Sequence, residues 1–118
     1  MEGNGDTDKG QKTEWATVKD GKMYAGSFGK ESVRADNTIA HTNNMWISTI
    51  DRDGRVEHID WTENYNRIRK AVGCSYPGYL IHEAIAWSSY QKKWVILPRR
   101  VSSEPYDEEE DELCGFVF

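Results

Sequence analysis

The sequence predicts a mainly β fold of antiparallel strands with one inserted helix. Three observations carry this expectation. Short runs of strand-forming residues flank tight turn signals such as Asp20-Gly21. Asp60 followed by Glu63 has the spacing that opens a helix, and Gly73 supplies a stop. Two longer strand-like runs, Tyr79–Ser88 and Lys93–Leu97, enclose the polar segment Ser89-Tyr90-Gln91-Lys92.

Taken in order, residues 1–13 are polar and rich in Gly, Asp and Lys, which predicts a loop or frayed, flexible lead. Glu14–Lys19 and Lys22–Ser27 read as a hairpin around Asp20-Gly21, because both central positions of such a turn favour positive φ. Residues 30–44 read as a polar loop. Met45–Ile50 and Arg55–His58 form a second strand pair around Asp51-Arg52-Asp53-Gly54. A helix is predicted from Trp61 to Val72, with Tyr65, Ile68 and Val72 on one face. After Lys93–Leu97 comes the acidic run 107–112, then Gly115-Phe116-Val117-Phe118, which looks like the beginning of another strand. A sheet of this kind leaves edges unpaired and one apolar face uncovered, so the expectation is a piece of a larger β architecture.

Composition narrows the function classes. The chain has 118 residues, enough for one domain at most. Aromatics reach 12%, with five Trp and six Tyr, which argues against general disorder. The formal charge of -5 comes from the six acids of 107–112; without them the body is nearly neutral. No basic face for nucleic acid is visible. The chain has no apolar run of membrane-spanning length, and its opening residues do not form a signal peptide. Cys74 and Cys114 either pair or stay free, and two cysteines do not fix a redox compartment.

One residue stands out chemically. In a regular strand over Tyr79–Trp87, Glu83 shares a face with Tyr79, Ile81, Ile85 and Trp87. A carboxylate among large apolar groups needs an Arg, backbone N–H donors or a metal ion to remain charged. Arg99 or Arg100, expected just beyond the strand ending at Leu97, would serve as a buried partner. The same two arginines suit phosphate binding through their forked donors, or a charged strand edge that resists aggregation.

Several familiar patterns are excluded. His82-Glu83 lacks the second His of H-E-x-x-H, since position 86 is Ala. Gly26-Ser27-Phe28-Gly29-Lys30-Glu31 has the wrong spacing for a phosphate loop. His41, His58 and His82 have no Cys or His partners at zinc-site spacing. Trp15, Trp61, Trp87 and Trp94 are expected as packing between sheets.

The run from Lys12 to Gly26, with Glu14-Trp15, Val18-Lys19-Asp20 and Tyr24, resembles the K-x-E-W-x-x-V-K-D-x-x-L-Y-V-G run of the calcium-activated nucleotidase (apyrase) family. Met23 stands where that family usually has Leu, and residues 32–50 match poorly. Gly29-Lys30-Glu31, Asn64-Tyr65-Asn66-x-Ile68-Arg69, Pro77-Gly78-Tyr79-Leu80-Ile81-His82-Glu83 and Trp94-Val95-Ile96-Leu97-Pro98-Arg99-Arg100 continue the resemblance, with Tyr106 before the acidic loop. The blocks keep family order over roughly residues 10–115.

The resemblance implies a fold, an activity and a metal. The fold would be a five-bladed β-propeller, of which residues 14–118 form somewhat over one blade. The activity would be hydrolysis of nucleoside di- or triphosphates such as UDP, GDP or ADP, with a calcium ion in the central channel. Glu14 and Glu83 correspond to two of the family's calcium ligands; its other ligands fall in segments outside this chain. Location would be secreted or in the secretory lumen. Calcium takes six to eight oxygen ligands, so carboxylates suit it. The bland reading of Glu14 is a solvated carboxylate at a strand start. The alternative to a nucleotidase is a truncated, non-catalytic β-rich binding fragment lacking the complete active site.

Overall fold

The computed structural model describes residues 1–104; the acidic run 107–112, Cys114 and the expected strand at 115–118 lie outside the described residues. Among the described residues the fold is mainly β, with one α-helix. Strands β1 (Trp15–Lys19), β2 (Lys22–Gly26), β5 (Trp46–Ile50) and β6 (Val56–Asp60) form an antiparallel sheet in the order β1-β2-β5-β6. Between β2 and β5, β3 (Ser32–Val33) and β4 (Ile39–His41) form a small hairpin. Helix α1 (Thr62–Ala71) follows β6, and β7 (Tyr79–Ser88) pairs with β8 (Lys93–Ser102) in a separate two-stranded sheet. None of these sheets closes into a barrel.

The turns form for local reasons. Asp20 and Gly21 have φ of 52° and 79°, the paired positive values that match the twist of a tight hairpin. Asp51 Oδ1 accepts hydrogen bonds from the backbone N–H of Asp53 and Arg55, both at 2.9 Å, and so closes the second turn. At the start of α1, Asp60 Oδ1 accepts from Thr62 N (2.9 Å) and Thr62 Oγ1 (2.5 Å). This satisfies an orphan helix donor, but from one residue before the N-cap, which is Trp61. The helix ends as expected: Gly73 has φ 76°, and Cys74 N donates to Arg69 O at 2.8 Å.

Four expectations are corrected. The loop at 30–44 contains the β3–β4 hairpin and a 3₁₀ turn at Asn43–Met45. Val72 is exposed, and Arg69 takes the buried position on α1 beside Tyr65. Strand β8 runs on to Ser102, so Arg99 and Arg100 lie inside it rather than past its end. Longer pairing with β7, through Leu80↔Val101 and Tyr79↔Ser102, extends it. Fourth, Glu83 is exposed on β7 rather than buried on its apolar face. Apart from these, the lead at 1–13 has no helix or strand, and hydrogen bonds connect it to the body. Gln11 Nε2 donates to Ala25 O at 3.0 Å, Ser48 Oγ donates to Gln11 Oε1 at 2.6 Å, and Glu2 is buried.

The core lies where the four-stranded sheet, α1 and the β7–β8 pair meet. Trp15, Met45, Ile47, Tyr65 and Ile85 are buried together, with Tyr24, Trp61, Ile68, Trp94 and Ile96 packed around them. The tryptophans pack as a cluster: Trp61–Trp94 at 5.2 Å, Trp87–Trp94 at 5.3 Å and Trp15–Trp61 at 5.7 Å between ring centroids. Such tilted and edge-on contacts add specific geometry to apolar burial. Trp15 Nε1 also donates to Tyr65 Oη at 3.3 Å, so the indole N–H is not left unsatisfied.

Candidate functional site

The β7–β8 pair carries an irregularity where the site forms. Ile81 pairs with Arg100, His82 with Pro98 and Ala84 with Leu97. Two residues therefore have no opposite number: Arg99 on β8 and Glu83 on β7. Each is the extra residue of a bulge, a device that re-aims side chains and often borders functional sites. The shift breaks the period of two. Ile85 is buried while Glu83 is exposed, so Glu83 does not share the apolar face that a regular strand would give it. Its compensation is an ion pair to Arg99, with Arg99 Nη1 donating to Glu83 Oε1 at 3.0 Å. The sequence nominated this partner, but the burial expected with it is absent.

Glu14 arrives at the same place from the other sheet. It directly precedes β1, and its backbone N donates to Gly26 O at 2.9 Å, which fixes it at the strand's start. Its side chain is 20% exposed and pairs with Lys12 at 3.4 Å. Glu14, Glu83 and Arg99 line one cleft of about 360 Å³, together with Lys12, Lys30, Glu31, Phe28, Ser32, Val33 and Ile81. Two carboxylates 69 positions apart are thus brought to one cavity. Arg100 is half-buried and is not among the cleft-lining residues.

Glu31, one of the cleft-lining residues, belongs to a buried ionic network that no sequence motif signals. Arg69 Nη1 and Nη2 donate to the two carboxylate oxygens of Glu31 at 2.8 and 2.7 Å, and both side chains are nearly fully buried. Arg69 also donates to Asn66 Oδ1. Burial pushes the Glu31 carboxyl up, but hydrogen bonds and charge from Arg69 outweigh it and hold the group below its ordinary range. Beside this pair His82 is completely buried, its ring 5.2 Å from that of Tyr65. Burial, reinforced by the charge of Arg69, holds His82 down at about 4. Burial and Arg69 also lower Lys30, against the opposing pull of Glu31. Glu31 and Arg69 both fall within recognisable motif blocks, but 38 positions separate them, and no local spacing signals that they pair.

Chemically, the cleft offers carboxylate oxygens beside ammonium and guanidinium groups. That donor set suits a hard cation and the phosphate it would accompany. Of the three lining carboxylates, Glu31 is engaged by both guanidinium nitrogens of Arg69, whereas Glu14 pairs with Lys12 and Glu83 with Arg99. Among the described residues, no group of three or more His, Cys, Asp or Glu gathers as a metal-holding cluster. Also among them, no helix is long and apolar enough to cross a membrane.

Comparison with known proteins gives the family of the chain. The apyrase family profile matches residues 1–117. An apyrase of Caenorhabditis elegans is 45% identical over 97% of this chain and 32% of its own length. An apyrase of Cimex lectularius is 43% identical over 97% of the chain and 31% of its own. Soluble calcium-activated nucleotidase 1 of Rattus norvegicus is 43% identical over 97% of the chain and 28% of its own. The chain belongs to the apyrase family. It spans about a third of the length of the curated relatives it matches.

Proposed function

We propose that this chain is part of a calcium-dependent nucleotidase that releases phosphate from nucleoside di- or triphosphates such as UDP, GDP or ADP. The observation that carries the reading is the meeting of Glu14 and Glu83 in one cleft of an apyrase-family chain. Names of relatives point the same way, since one is called a calcium-activated nucleotidase. On this reading the four-stranded up-and-down sheet is one blade of a five-bladed propeller, and β7–β8 opens the next. Glu14 and Glu83 would hold calcium from successive inner strands. The ion would neutralise phosphate oxygens and polarise phosphorus toward water. Arg99 would orient the phosphate; Arg100, set apart from the cleft, keeps a structural part in β8. The parent protein would act outside the cell or in the secretory lumen.

Calcium needs six or more oxygen ligands, and this chain contributes two carboxylates. The 118 residues alone therefore form an incomplete site, and as an isolated piece they fit the non-catalytic reading. Phosphate release from UDP, with calcium and then with chelator, tests both statements. Chelator-sensitive turnover by the intact parent is the expected result. Equal turnover by the 118-residue piece would overturn the claim that further ligands are required.

A further inference from the structure

The two carboxylates proposed for the metal are already paired with cations. Lys12 lies 3.4 Å from Glu14, and Arg99 lies 3.0 Å from Glu83. Both cationic side chains are largely exposed, at 75% and 58%. Both also line the same cleft as their partners. Pairs whose cationic partner lies in solvent are weak, contributing about 0–1 kcal/mol, so a divalent ion can displace the cation from each carboxylate. The lining carries three carboxylates (Glu14, Glu31, Glu83) against three cations (Lys12, Lys30, Arg99) and is formally neutral. A bound divalent cation makes it doubly positive, which favours a polyphosphate anion.

Resting on the metal site proposed above, we infer that calcium and Lys12 and Arg99 exchange partners. The metal takes Glu14 and Glu83, and the two displaced side chains become the phosphate-binding groups of the cleft. Lys12 is thereby a substrate-contacting residue, and substrate affinity is switched by the metal. Before the metal binds, Glu14 and Glu83 hold both cations and repel the phosphate themselves. Afterwards the same carboxylates are neutralised. Glu83 and Arg99 both sit at the bulges of the β7–β8 pair, and each side chain can rotate away from the other without disturbing the backbone.

The partner exchange makes a pair of opposite-signed predictions for one substitution. In the intact protein, Arg99→Met removes a competitor for Glu83 and should tighten calcium, measured by calorimetry, by about two- to fivefold. It should weaken the calcium-loaded protein's affinity for α,β-methylene ADP by about tenfold or more, because a charge-assisted phosphate contact is lost. In chelator, wild type and Arg99→Met should bind the analogue equally poorly. Lys12→Met should follow the same pattern, and the exposure of both residues keeps the fold unaffected. Calcium affinity unchanged or weakened in Arg99→Met, with Glu83→Gln still losing calcium, would overturn the exchange while leaving the metal site standing. If Glu83→Gln also keeps its calcium affinity, the metal-site reading itself fails.

Discussion

Glu83 shows how a single residue's role depends on its exposure. Its carboxylate is 43% exposed and already ion-paired to Arg99, and such a pair adds little stability. Replacing it should therefore leave folding nearly unchanged while affecting the metal. Glu83→Gln in the intact protein is expected to weaken calcium about tenfold or more, since one formal charge leaves a site whose affinity follows charge count. Calorimetry with a parallel urea melt separates the two effects. The Glu31–Arg69 pair behaves oppositely. Removing one member strands a buried charge, so Arg69→Met should cost about 3–5 kcal/mol in the same melt. Loss of less than 1 kcal/mol would mean that the Glu31 carboxylate reaches water once its partner is gone.

His82 adds a pH signature at the same scale. Its folded value of about 4 lies below the ordinary 6.5, so the unfolded chain binds more protons between these values. The contribution of neutral His82 is complete above pH 6.5 and is lost as pH falls toward 4. The depressed Glu31 carboxylate also loses its contribution in acid, because protonation removes its bond to Arg69. Stability measured by urea at pH 5 should fall below that at pH 7, and His82→Phe should flatten the part of the slope above pH 5. An unchanged slope would show that His82 has water access in the folded state.

Among the elements, the connection from β2 into the cleft is the most constrained. Gly29 has φ 73°, and a Cβ there would lie 2.6 Å from Tyr65 Cε1 and 2.8 Å from His82 Cδ2. Gly29→Ala therefore combines a left-handed backbone penalty with overpacking of two rigid rings, and at least about 2 kcal/mol of destabilisation is expected. A melt within 0.5 kcal/mol of wild type, a figure typical of neutral surface changes, would contradict this placement. The tightness has a use: Lys30 and Glu31 follow directly, so the glycine sets where one wall of the cleft begins.

For the whole molecule, the question is how the sheets assemble around the cleft. Glu14 sits at the head of the four-stranded sheet and Glu83 on the separate β7–β8 pair, with the tryptophan cluster packed between the two. Trp87 N donates to Thr17 Oγ1 at 3.0 Å, a direct tie from β7 to β1. Disrupting that packing should move the two carboxylates apart. Trp94→Ala is expected to lower stability by about 3–5 kcal/mol and, where the protein still folds, to weaken calcium more than Glu14→Gln alone does.

The sequence by itself determined the order of the longer elements, though not the β3–β4 hairpin, together with both tight turns, the helix with its glycine stop, and the candidate carboxylates Glu14 and Glu83. These are local matters: turn dipeptides, capping residues and hydrophobic period act over a few positions, and motif blocks are read along the chain. Only the tertiary structure decided that Glu83 escapes its apolar face, because paired bulges are set by the register against β8. It alone joined Arg69 to Glu31 across 38 positions and buried His82 beside the charge of Arg69. It also turned Arg99 toward the cleft and left Arg100 out of it. Register, burial and long-range pairing arise from which surfaces exclude water together, and no window of neighbouring residues contains that information.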